Sequence, residues 1–166
     1  MAFAEAGLRV VAIDADPETA AVAAHNLSLV GGGEARTGLA EEAGVSEGAA
    51  VFLDPARRTA RGRTWNVADF TPPWEFVLAQ LASARFVAVK LGPGIPKELI
   101  PDGVLAGWVS EHGDVVEATV WNRLGTGTEA VVLPHELRPR VAVRALDVRP
   151  LGRYLIEPDG PSSGQA

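Results

Sequence analysis

The sequence predicts an α/β protein built on a mostly parallel sheet with an antiparallel hairpin towards its C-terminal end. Three observations carry that expectation. Short, nearly continuous apolar runs ("VVAI", "VFL", "FVAV") alternate with helix-like segments, as in a parallel sheet covered on both faces. Beyond residue 105 the pattern changes to strand, turn, strand, turn, strand, with no helix between. The 18 glycines and 12 prolines fall mostly between the apolar runs, as a chain with many short connections requires.

Taken in order, "LRVVAIDAD" reads as a short buried strand that ends in acids. "DPETAAVAAHNLSLVGGG" follows as a helix. Asp16 suits the N-cap, Pro17 the first helical position and Glu18 the positive end of the dipole, while the glycines at 31 to 33 stop it. "EARTGLAEEAGVSEGA" reads as a marginal strand followed by a loop or short helical turn, and "AVFLD" as a second buried strand cut by Pro55. A polar stretch from Ala56 to Pro73 carries Arg57, Arg58, Arg61 and Arg63. "WEFVLAQLAS" is helical, and "RFVAVKLG" is a third apolar strand closed by "GPGIP". "AGWVSEHGDVVEATVWN" and "TEAVVLP" then supply the closing strands, with the "GTGTEA" glycines expected in a hairpin loop.

Composition excludes several classes. A hydrophobic fraction of 47% with 22% charged residues is globular, and no run of about 18 apolar residues exists to span a membrane. The first residues carry an acid where a secretory signal carries basic groups, so a cytoplasmic protein is expected. Cysteine is absent, and His25, His112 and His135 show no metal-ligand spacing; no metal is expected. A net charge of −6 argues against a surface coated for general nucleic-acid binding, yet leaves room for a local basic site.

Ligands of open α/β sheets sit at the carboxyl ends of the strands. The residues there are Asp14 and Asp16, then Asp54 and Pro55, then Lys90 to Gly94. Asp14 follows its apolar run directly, and an acid so placed can accept hydrogen bonds from both hydroxyls of a ribose; the bland alternative is a turn acid. No phosphate loop, GxSxG elbow or HExxH motif is present. A nicotinamide dehydrogenase would also need a glycine fingerprint before the acid-ended strand, and none is visible.

The stretches "VVAIDADPETAAVAAHNL", "VFLDPARRTARGR", "FTPPWEFV", "VAVKLGPGIP", "WVSEHGDVVEATVW" and "LGRYLIEPD" follow one another as in bacterial class I S-adenosylmethionine-dependent methyltransferases with a C-terminal THUMP-like domain. The resemblance implies a Rossmann-like sheet, S-adenosylmethionine as cofactor and RNA as a possible substrate. It implies a partial methyltransferase domain over 1–135 and, over 136–166, the start of a THUMP-like domain or a disordered tail. By the same resemblance Asp14 binds the ribose and Ala15 lies beside the adenine. Asp54 and Pro55 form the catalytic corner that meets the methyl-accepting group. Arg57, Arg58 and Lys90 are the substrate-side cations. Ala56 stands where related motifs carry a second proline, and no aromatic follows it. The family's first strand and glycine-rich cofactor loop are expected before Met1, so the sequence reads as truncated at both ends. A non-catalytic remnant or interaction domain, binding a partner through its arginine-rich loop and tail, is the alternative.

Overall fold

The computed structural model describes residues 1–59, 62–63, 66–83, 85–133 and 141–142, with backbone alone at 58–59, 62–63 and 141–142. The chain divides into two compact units, Met1–Glu47 and Gly48–Ala166.

In the first unit a one-turn helix α1 (Ala2–Glu5) leads into β1 (Val10–Asp14), α2 (Pro17–Val30) and β2 (Gly33–Thr37). β1 and β2 pair in parallel from Val10↔Gly33 to Asp14↔Thr37, so this is a β–α–β unit. α2 starts and stops where local chemistry says it should. The Asp16 carboxylate accepts from the Glu18 and Thr19 amides, Pro17 occupies the first turn, and Gly31 ends the helix at φ 65°. The expected burial of β1 differs from what is found. None of its five residues is fully buried, and Val11 is 48% exposed. Its apolar content suits a strand paired on both edges, whereas among the described residues it pairs with β2 alone.

The second unit holds β3 (Val51–Leu53), a small hairpin of β4 (Arg58–Thr59) and β5 (Gly62–Arg63), and α3 (Trp74–Leu81). These are followed by β6 (Val87–Leu91), β7 (Leu105–Glu111), β8 (Asp114–Trp121), β9 (Gly127–Leu133) and β10 (Val141–Ala142). The main sheet runs in the order β10-β9-β7-β8-β6-β3. β3, β6, β7 and β9 share one direction, and β8 and β10 oppose it.

β7 and β8 form the expected hairpin. Its turn is the His112-Gly113 pair, with φ of 53° and 89°, both positive as a two-residue turn matching strand twist demands. The "GTGTEA" segment departs from expectation. β9 pairs in parallel with β7, not with β8, and Gly127 donates to the Val104 carbonyl at the start of β7. The glycines thus carry the chain around the end of β7 and not through a hairpin.

α3 packs on one face of this sheet. Trp74, Val77 and Leu81 recur at helical spacing and are buried against Val87, Val89 and Leu91, the alternate residues of β6. Full burial of side chains of this size stabilises by roughly 1.5–3 kcal/mol each. Lys90, one residue out of step, points to the opposite face. Asn122 closes the α3–β6 connection: its amide donates to the carbonyls of Leu81 (3.0 Å) and Arg85 (2.8 Å), and its oxygen accepts from the Val87 amide (2.9 Å). The expected THUMP-like domain or tail over 136–166 lies outside the described residues, apart from the backbone of β10.

Candidate functional site

The second unit contains a cleft of about 390 Å³ lined by Asp54, Pro55, Arg57, Lys90, Gly92 and Pro93 among others. It lies where β3 and β6 both end. Because these two strands pair in parallel, from Val51↔Val87 to Leu53↔Val89, their carboxyl ends deliver the "DPAR" and "KLGPG" segments to the same place.

Each wall is fixed by identifiable contacts. On the β3 side Pro55 is buried, and Ala56 exchanges two backbone hydrogen bonds with Thr71, at 2.8 and 3.0 Å. This bridge ties the corner to "FTPPW", where the Thr71–Pro72 peptide is cis and Phe70 meets Trp74 edge to face at 5.4 Å. On the β6 side the Ile95 amide donates to the Gly92 carbonyl (3.2 Å), the Ile95 side chain is fully buried, and the Trp108 indole donates to the Pro93 carbonyl (2.9 Å). Both loops therefore hang from the core.

Two lining charges, Asp54 and Lys90, connect to Glu117 on β8. Lys90 Nζ lies 3.7 Å from Asp54 Oδ2 and 3.8 Å from Glu117 Oε2 on β8, and the Thr119 hydroxyl donates to Glu117 Oε1 at 2.9 Å. All three ionised side chains are partly exposed, so each pair contributes at most about 1 kcal/mol to stability. Lys90 is thus the common partner of Asp54, which lines the cleft with it, and of Glu117 on β8.

The structure thus brings together four of the site residues expected from sequence: Asp54, Pro55, Arg57 and Lys90. Only the backbone of Arg58 is described, in β4. Arg61 lies outside the described residues and Arg63 is described in backbone alone. Asp14 and Ala15 belong to the first unit, at the turn between β1 and α2. There Asp14 Oδ1 accepts from the Asp16 amide at 2.9 Å, which fixes the carboxylate while engaging one of its oxygens. Asp16 does the capping: the Thr19 hydroxyl (2.7 Å) and the Glu18 amide (3.2 Å) donate to it and hold its carboxyl below the usual carboxylate range.

Glu117 was not anticipated, and Gly92, within the expected strand-end stretch Lys90 to Gly94, was given no role of its own. Glu117 sits in an alternating strand where an acid reads as solvent-facing, and only the β6–β8 register, Lys90↔Thr119, brings it to Lys90. Gly92 reads as part of a turn. Its Ramachandran angles do not require glycine, but a side chain there would overlap the Arg57 guanidinium, whose Cζ would lie 2.8 Å from the added carbon. Among the described residues no group of three or more His, Cys, Asp or Glu is placed to hold a metal, and no helix is long and apolar enough to cross a membrane.

Comparison with known proteins gives this site a context. No family model matches the chain. It is 32% identical over 168 residues to an uncharacterized S-adenosylmethionine-dependent methyltransferase found in two strains of Mycobacterium tuberculosis, an alignment covering 96% of this chain. The chain spans about half the length of these relatives, 46%. Its fold matches the crystal structure of a candidate methyltransferase from Porphyromonas gingivalis with a TM-score of 0.58 and 23% identity. That match covers 79% of this chain and 37% of the other. The architecture is therefore an α/β fold of the kind seen in that methyltransferase structure.

Proposed function

We propose that the chain carries out methyl transfer from S-adenosylmethionine to an RNA substrate, as part of a class I methyltransferase related to the mycobacterial proteins. The observation that carries this reading is the convergence of Asp54, Pro55, Arg57 and Lys90 on one cleft at the carboxyl ends of two parallel strands. The 32% identity to proteins named for that cofactor supports it.

The cofactor's sulfonium would supply the electrophilic methyl group, so the residues of this chain would contribute position and charge. The residues at the end of β1 fit the nucleoside part. With Oδ1 of Asp14 engaged by the Asp16 amide, Oδ2 would be left to accept from a ribose hydroxyl, and Ala15 would present backbone beside the adenine. Asp54 accepts a hydrogen bond from the methyl-accepting group and orients its lone pair, with the neighbouring Lys90 as its ion-pair partner. Arg57 and Arg58 contact substrate phosphates, the contacts that position a nucleic acid without reading its sequence. The THUMP-like association noted in the sequence points to RNA.

The test is transfer of tritiated methyl from labelled S-adenosylmethionine to RNA. Label should enter RNA with the unaltered chain, and Asp54→Ala should slow incorporation by about 10²-fold or more, the usual weight of a group acting directly on the reacting centre. Incorporation that survives Asp54→Ala unchanged would remove Asp54 from the reaction. A folded chain giving no label with RNA would favour a non-catalytic interaction domain.

A further inference from the structure

Gly92 is buried, and its φ lies outside the left-handed region, so backbone conformation does not explain a glycine there. What does explain it is proximity. The Arg57 guanidinium lies over the Gly92 Cα, and a Cβ at 92 would come within 2.9 Å of Nη1 and closer still to Nη2. The glycine is a seat for the arginine.

The seat is rigid from both sides. Gly92 belongs to a turn closed by the Ile95 amide and pinned through Pro93 to the Trp108 indole. Arg57 follows Ala56, which is locked to Thr71. Arg57, with its planar fork of donors, has the geometry that pairs with two oxygens of one phosphate.

We propose that Gly92 is a positioning residue: the absence of a side chain there lets the Arg57 guanidinium take the orientation that grips a phosphodiester of the substrate strand. This rests on the RNA-methylation reading above. In it Arg57 is a binding residue and Gly92 a positioning residue acting through Arg57.

The experiment is fluorescence anisotropy of a labelled single-stranded ribo-oligonucleotide over a range of salt concentrations. It compares the unaltered chain, Gly92→Ala, Arg57→Ala and the double variant, with a thermal melt of each. The atoms that must move in Gly92→Ala are the far end of a flexible side chain, so its melt should match that of the unaltered chain. Loss of one charge-assisted contact should weaken binding about ten- to a hundredfold in either single variant. The salt slope should fall by about 0.7, the value of one phosphate contact on a single strand. The double variant should bind no more weakly than Arg57→Ala. Additive losses, or a Gly92→Ala chain that binds with unchanged affinity and slope, would overturn the seat while leaving the RNA reading standing. Failure of the unaltered chain to bind the oligonucleotide would overturn both the phosphate role and the RNA reading. Arg57→Lys gives a check that does not involve residue 92: a point charge in place of the fork should recover the salt slope but not the full affinity.

Discussion

Asp14 and Asp16 are two residues apart and do different work. Asp16 caps α2 through both oxygens, while Asp14 turns one oxygen to the Asp16 amide and keeps its carboxylate fixed at the end of β1. The sequence points to Asp16 as the cap and to Asp14 as a ribose acid or a turn acid; the hydrogen bonds show the cap at Asp16 and a turn bond at Asp14. Because the native bonds to Thr19 and Glu18 hold the Asp16 carboxyl low, its contribution exists above the ordinary carboxylate pKa and is lost as pH falls through the lowered one. Asp16→Ala should therefore lower the melting temperature at neutral pH, and the difference from the unaltered chain should shrink as pH drops below about 4. A pH-independent difference would show that the cap acts without its charge.

At the scale of elements, the apolar runs and the capping signals were legible because they depend on neighbours in sequence. α2 is an example: its N-cap, its first-turn proline and its C-terminal glycine all stand where local chemistry places them. The path of β9 was not legible, because which strand it pairs with depends on the whole sheet. The same holds for Asn122, a single polar residue after a strand whose partners lie 35 or more positions away. Asn122 satisfies an amide and two carbonyls of the α3–β6 turn. Asn122→Ala should cost about 2–4 kcal/mol, read as a reduced midpoint in urea unfolding with an unchanged slope. A loss under about 0.5 kcal/mol would mean that water replaces these bonds.

At the scale of the whole molecule, the cleft was half legible. Asp54, Pro55 and Lys90 could be chosen because strand ends in parallel sheets collect ligand-binding residues, and Arg57 through the family resemblance. Glu117 could not, since it needed the strand register, and Gly92, though within the strand-end stretch Lys90 to Gly94, could not be tied to Arg57 without the position of a distant guanidinium. The chain spans 46% of the length of the relatives it matches. The central claim is that it binds the methyl donor through the end of β1. Isothermal titration with S-adenosylhomocysteine tests it most directly. The account predicts saturable heat at one site per chain, abolished in Asp14→Ala and retained in Asp54→Ala. A cooperatively folded chain giving no saturable heat, or binding unaffected by Asp14→Ala, would contradict it.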